Sequence, residues 1–221
     1  MTTRGLPPGQ RAQEWRRFGL PEFARREVRP EAEPCVHVGG AVRRPTTVRV
    51  DDLLASAARV VARSDLHCVM TWSALDLDWG GVPFAPVVRA LTDLVEPDPA
   101  TRWLELTGLD GYRACLSLED ASMPDVLLAD EVAGRPLTPA QGAPLRLVAP
   151  SHYGYMQVKQ LCRIDFLDQY RPGSAGWKAH PRGRVALEER SRGLPGVVWR
   201  YGWRALLPLA RRPYDRSGSD R

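Results

Sequence analysis

The chain lacks several things that would have placed it quickly. No apolar run reaches the roughly 18–20 residues of a membrane-spanning helix. There is no C-x-x-C pair. Cys35, Cys68, Cys115 and Cys162 stand far apart, which leaves zinc ribbons, thioredoxin-type motifs and covalent haem attachment without support. His37, His67, His152 and His180 show no metal-ligand spacing. No Ser/His/Asp arrangement has supporting context, and Glu188-Glu189 sits in a charged run that reads as solvated. Internal repeats and low-complexity tracts are absent. No apolar stretch follows Arg16-Arg17, so a twin-arginine export signal would lack its hydrophobic part, and the expected compartment is the cytoplasm. In that compartment disulfides are not expected.

What is present is 221 residues of ordinary globular composition with 20 prolines and 19 glycines, which favours many loops over long helices. That length suits one large domain or a smaller one with extensions, enough to bury a continuous core. Three regions separate by composition: a polar, proline-bearing arm at 1–33, a domain at 34–171, and a basic Trp/Arg-rich extension at 172–221. The arm holds one short helical candidate at Gln10–Phe18. Cys35 to Val38 alternates as a strand before Gly39-Gly40, and Thr46 to Val50 is a second strand. Asp51 is placed to cap a helix over "DLLASAARVVA". A further helix is expected over "PFAPVVRALTDLV", with Pro83 near its start, where a missing N–H costs nothing.

"TRWLELTGLDGYRACLSLED" reads as a hairpin turning at Asp110-Gly111. Tyr112, Ala114, Leu116 and Leu118 then share one face. "DVLLADEVAGRPLT" reads as strand, Gly134 turn, strand, and "APLRLVAP" and "LCRIDFL" are two more strands. Strands dominate with a few helices interspersed, so the expected class is α+β with largely antiparallel sheets. From Trp177 onward Arg and Lys outnumber Asp and Glu. Trp199, Trp203, Leu206, Leu207 and Ala210 fall at helical spacing there, although Gly202 and Pro208 weaken a straight helix. The segment is either a basic surface helix for a membrane or partner, or an extension packing its tryptophans on the domain. The second reading is preferred because such helices usually pack on their own core. It carries no RNA or DNA motif, so a nucleic-acid partner is not expected.

Two constellations could carry chemistry. In "HCVMTWSALDLDWGGVPF", Cys68 lies between His67 and Thr71-Trp72-Ser73 rather than within an apolar strand, and Trp72, Trp79 and Gly80-Gly81 could wall a pocket. A free cysteine is more often a small buried hydrophobe, and that reading stays open. In the second, Arg146 and Lys159 flank "LVAPSHYGYMQVK", with Gly142 and Gly154 leaving backbone accessible. An arginine fork and a lysine point charge suit a phosphate, while exposed strand and loop charges are the alternative. The stretch is neither a Walker motif nor G-x-G-x-x-G, so nucleotide binding is unsupported.

These two segments resemble the sulfite-oxidase-like molybdopterin-dependent oxidoreductases. Cys-Val-x-x-Trp-Ser followed by Trp-x-Gly-Val-Pro is similar to the branch that includes protein-methionine-sulfoxide reductase catalytic subunits. "GRPLTPAQGAPLRLVAPSHYGYMQVKQLCRIDF" resembles the family's second motif, and the likeness covers roughly 34–168. "HPRGRVALEER" faintly resembles a C-terminal His…Glu-x-Arg element. The resemblance implies a sulfite-oxidase-type fold of mostly antiparallel mixed sheets, and molybdenum–molybdopterin as cofactor. Cys68 becomes the thiolate ligand and catalytic centre. Arg146, Lys159, Gln157 and Val158 form a phosphate clamp, Gln141 contacts the pterin, and His67 and Thr71 support the ligand from behind. It implies two-electron oxygen-atom transfer on a small oxo-substrate such as a sulfoxide, with electrons exchanged with a separate partner. The membrane is one place for that partner, and the basic tail is one docking surface. Sulfite is not the implied substrate, because Val69-Met70-Thr71-Trp72-Ser73 stands where sulfite oxidases proper carry an arginine-containing sequence. A non-enzymatic molybdopterin carrier that kept the fold is the alternative.

Overall fold

A computed structural model describes residues 5–15, 18–24, 26, 28 and 32–216. Alternating apolar residues lay down two sheets. The first contains β1 (Arg11–Ala12), β4 (Val60–Cys68), β5 (Trp72–Pro83), β8 (Leu127–Val132), β9 (Arg135–Pro136) and β10 (Arg146–Val148). β5 is its spine: β4, β1 and β8 all pair with it, and β10 pairs with β8. The second sheet runs β3 (Thr46–Arg49), β2 (Cys35–Gly40), β11 (Leu161–Leu167), β6 (Trp103–Gly108), β7 (Arg113–Ser117). Among the described strands, only β1–β5 and β11–β2 pair parallel. Four α-helices are described: α1 (Val50–Ala55), α2 (Phe84–Val95), α3 (Leu118–Ala121) and α4 (Gly196–Arg216). The α+β class with mainly antiparallel sheets holds.

The period of two divides the first sheet between two cores. Leu128, Leu147 and Val82 face α2 and the second sheet, whose Val38, Leu106 and Ile164 close the main core. Leu127, Ala129, Val148 and Trp79 face the other way. There they meet Trp15 and Phe18 of the arm and Trp199, Trp203 and Leu207 of α4. Arg146 is two residues from Val148 and so points to this second face, which also holds Cys68 and Met70. The arm and tail therefore cover the side of the sheet that carries the candidate chemistry.

Several local expectations are corrected. The helix at Gln10–Phe18 is not formed. Arg11 and Gln13 donate backbone N–H groups to the Thr71 and Ser73 carbonyls at 3.1 and 2.8 Å, so the exposed edge of β5 captures the segment as a strand. Arg16 and Arg17 lie outside the described residues. The helix from Asp51 stops at Ala55, where the Ser56 hydroxyl returns to the Leu53 carbonyl at 2.6 Å. From Val60 the chain is strand, with Val61 exposed between half-buried Val60 and Ala62, a period of two that β5 rewards with pairing. Arg49, not Asp51, holds the N-cap position, without a side-chain cap bond; Asp51 sits in the first turn, where a carboxylate suits the helix dipole. α4 runs on past Gly202 and Pro208 for 21 residues, because its Trp199, Trp203 and Leu207 pack on the second core.

Candidate functional site

β4 ends at Cys68 and β5 begins at Trp72, so residues 69–71 must reverse the chain in a tight loop. Thr71 takes the strain, with φ at 71°, a region that β-branched residues rarely occupy. Such a residue costs of order 1–3 kcal/mol and persists only where its surroundings fix it. Here they do. Thr71 N–H donates to the Cys68 carbonyl at 3.1 Å, and Gln10 Nε2 donates to the same carbonyl at 3.2 Å. Arg190 Nη1 donates to the Val69 carbonyl at 2.7 Å, and Arg204 Nε to Thr71 Oγ1 at 3.4 Å. Arm, tail and the segment before α4 all grip the loop that presents Cys68.

The Cys68 thiol is buried, and burial pushes its pKa up to about 12, against weaker pulls from the Met70 N–H and the Arg211 and Arg190 charges. The Met70 N–H donates to Sγ at 3.5 Å. Unaided, the sulfur is therefore a neutral thiol at pH 7, and a cationic metal is what would convert it to thiolate. Behind it, His67 Nδ1 lies 2.7 Å from Ser73 Oγ. The Ser73 hydroxyl donates to Gln10 Oε1 at 3.2 Å, which leaves His67 Nδ1 as donor in that pair. Burial lowers the His67 pKa, so the ring is neutral.

Arg146 is 1 % exposed, on a strand, and no carboxylate pairs with it among the described residues. Nη1 donates to the Gln141 carbonyl at 2.7 Å and Nη2 to Gln157 Oε1 at 3.4 Å, while Nε has no partner. The guanidinium lies 4.8 Å from the Trp79 ring centroid. Burial alone brings its pKa down to about 10. A buried arginine with an orphaned donor and no counter-charge has the chemistry to receive an anion. Lys159 is brought beside it: Leu147 N–H donates to the Val158 carbonyl at 2.9 Å, and Gly142 packs between the two cations. A Cβ on Gly142 would stand 3.1 Å from Arg146 Cβ and 3.2 Å from Lys159 Cβ, and its φ of +119° would strain any side chain placed there. Lys159 Nζ donates to the Ala140 carbonyl at 2.9 Å.

A cavity of about 390 Å³ joins these features, within the range of small-molecule sites. Cys68, Arg146, Gln157 and Lys159 line it together. The other expected residues do not. His67 stands behind Cys68 against Ser73, and Thr71 lies within the cysteine loop with its hydroxyl met by Arg204. The Gln141 side chain turns back to accept from Thr138 N–H at 2.9 Å, so only its carbonyl serves Arg146. Val158 is wholly buried in the main core and holds the register by its backbone. Further walls come from Trp15 and Phe18 of the arm and from Trp203, Leu206 and Tyr214 of α4, beside Met70, Tyr112 and Tyr155. The arm aromatics gave no sequence signal, being single rings in a polar stretch. Arg190 could have been found from the faint Glu-x-Arg likeness. No three His, Cys, Asp or Glu side chains converge on a metal among the described residues, so a metal at Cys68 would have to bring most of its ligands. A soft sulfur at one point of the cavity and paired cations at another suit a flat, anionic, metal-bearing organic ligand.

Residues 27–175 match the model of the oxidoreductase molybdopterin binding domain. Among curated proteins, a protein-methionine-sulfoxide reductase catalytic subunit MsrP of Xanthomonas axonopodis pv. citri is 35% identical over 147 residues, 61% of this chain and 45% of that protein. The MsrP of Gluconobacter oxydans is 33% identical over 199 residues, 80% of this chain and 62% of that protein. The chain thus spans about half the length of the curated relatives it matches. The crystal structure of the sulfane dehydrogenase SoxCD from Paracoccus pantotrophus superposes with a TM-score of 0.58 at 20% identity, over 76% of this chain and 47% of that one, and shares the fold.

Proposed function

Because the chain belongs to the oxidoreductase molybdopterin-binding domain family, we propose that it is a molybdenum enzyme that reduces a small sulfoxide or related oxo-compound, with electrons from a separate partner. The observation that carries this is the single cavity in which the Cys68 thiol and the uncompensated Arg146 cation both stand. When bound, molybdenum–molybdopterin supplies a two-electron couple able to take up or release one oxygen atom. The residues here fit that group. Cys68 offers a soft protein ligand, and the Met70 N–H donates to its sulfur. Arg146 and Lys159 offer the cationic clamp for its phosphate, and Gln157 holds the Arg146 fork while bonded to the Ala149 carbonyl at 3.2 Å.

The apolar walls exclude water from the reacting centre, which strengthens every charge interaction inside. They also favour an uncharged organic substrate over an oxyanion. In balance, the sulfoxide S–O bond breaks, two electrons and two protons are taken up, and a thioether and water leave. The relatives named as methionine-sulfoxide reductases support this direction. No described helix is long and apolar enough to cross a membrane. We propose a cytoplasmic working compartment, in which the four cysteines, free in the structure, would stay reduced.

The test is turnover of cofactor-loaded protein with reduced benzyl viologen and a panel of dimethyl sulfoxide, methyl aryl sulfoxide, methionine sulfoxide and an amine N-oxide. Two viologen cations should be oxidised per oxygen atom removed. Loaded protein that oxidises none with any of these is a carrier and not this enzyme.

A further inference from the structure

Three of the chain's seven tryptophans form one stack that joins the cavity to solvent. Trp203 lines the cavity and is 7 % exposed. Trp199 lies against it, with centroids 5.7 Å apart and planes at 24°. Trp177 meets both, at 6.0 and 6.5 Å, and is 63 % exposed. The rings are pinned. Trp203 Nε1 donates to Ser191 Oγ at 2.9 Å, Ser191 Oγ to the Lys178 carbonyl at 2.6 Å, and Trp199 Nε1 to the Arg192 carbonyl at 3.1 Å. Packing alone would reward covering the outermost ring. Instead Trp177 is open.

Charge tells what covers this surface. From Trp177 to the end stand eleven Arg and Lys against four Asp and Glu, an excess larger than the whole chain's +5. Within it Arg182 and Arg192 are exposed, Arg182 also paired with Glu189, while Arg190 is buried and Arg184 and Arg200 are held by carboxylates. An apolar aromatic centre with a basic surround fits an acidic protein whose own centre is apolar.

We propose that an acidic one-electron donor protein docks on Trp177, and that its electrons reach the cavity through the Trp177–Trp199–Trp203 stack. This rests on the reading of the cavity as a redox site. Each docking event oxidises the donor by one electron, and two events supply the pair that breaks the S–O bond, the protons coming from water. The tryptophans stay neutral and unmodified. Their contact shortens the through-space gaps across which an electron must tunnel, and tunnelling falls exponentially with such gaps.

The experiment uses the full chain with its cofactor and two donors: flavodoxin, an acidic one-electron protein, and benzyl viologen, small enough to act at the cavity mouth. Binding of oxidised flavodoxin is measured by calorimetry, with cytochrome c as a basic control protein. Trp177→Ala should weaken flavodoxin binding about 30-fold, as truncation of a central tryptophan worth about 2 kcal/mol does, and leave viologen-driven turnover unchanged. Trp199→Leu should keep the binding but lower flavodoxin-driven turnover by an order of magnitude, with Trp199→Phe restoring it. Equal flavodoxin binding and turnover in wild type and Trp177→Ala overturns the proposal. So does a wild type that binds flavodoxin no better than cytochrome c, or a Trp177→Ala that loses only adhesion to anionic phosphatidylglycerol vesicles. Wild type inert to viologen and sulfoxide sinks the enzyme reading instead, and the binding measurement still decides the docking surface.

Discussion

Replacing Arg146 by methionine separates an anion-binding arginine from a structural strut. Burial with no counter-charge takes the guanidinium from 12.5 to about 10. At pH 7 that shift means the cation costs the cofactor-free protein about 3 kcal/mol relative to the unfolded chain. The sign follows from the depressed value of a base: the cost is full below pH 10 and is relieved as pH rises from about 10 to 12.5. Methionine removes that cost but also the bond to the Gln141 carbonyl, worth about 1.5–3 kcal/mol, and the contact with Trp79, worth about 0.5–2 kcal/mol. The terms oppose each other, so cofactor-free Arg146→Met should unfold in urea within about 1–2 kcal/mol of wild type. Cofactor binding should suffer instead. Loss of a charge-assisted fork costs at least one factor of ten in affinity, about 1.4 kcal/mol, and the ligand-induced rise in stability should vanish with it. Arg146→Lys keeps charge without the fork and should fall between. A cofactor-free Arg146→Met that loses more than about 3 kcal/mol, the signature of a broken buried ion pair, refutes the reasoning. So does a variant that holds pterin as wild type does.

Three other consequences are open to measurement. Gly142→Ala forces a side chain into a left-handed position between Arg146 and Lys159, and pterin content of the purified protein should fall well below wild type; wild-type content would show that the clamp tolerates displacement. Arg190→Gln removes the donor to the Val69 carbonyl, which frees the strained cysteine loop; hydrogen exchange at residues 69–71 should quicken while β11 stays protected. The Cys68 pKa, raised from 9.0 to about 12, contributes stability that is full below pH 9 and lost as pH climbs towards 12. Between pH 8 and pH 10, cofactor-free wild type should therefore lose about 1.4 kcal/mol more than Cys68→Ser, and equal losses in urea melts would contradict the buried thiol.

The legible parts of this site were those with local chemistry. Cys68 stood out because polar neighbours flank it, and Arg146 and Lys159 because motif likeness spans both. What stayed hidden depends on contacts far apart in sequence. Leu53, Leu54, Val60 and Val61 suit helical spacing and a strand equally, and pairing of β4 with β5 decided between them. Gln141 and Val158 act through backbone atoms, which residue identity does not specify. Trp15 and Phe18 reach the cavity only because the edge of β5 draws the arm in as β1. The tail helix outlasts two internal prolines through packing of its tryptophans, a tertiary gain that propensity alone undervalues.

Whether Cys68 holds molybdenum is decided by quantifying molybdenum and pterin together in wild type and Cys68→Ser, both produced in a cofactor-competent host. The expected result is near-equimolar metal and pterin in wild type, with pterin kept and molybdenum lost or spectrally altered in the variant. Wild type that carries neither molybdenum nor pterin would contradict the account and return Cys68 to the status of a buried apolar side chain.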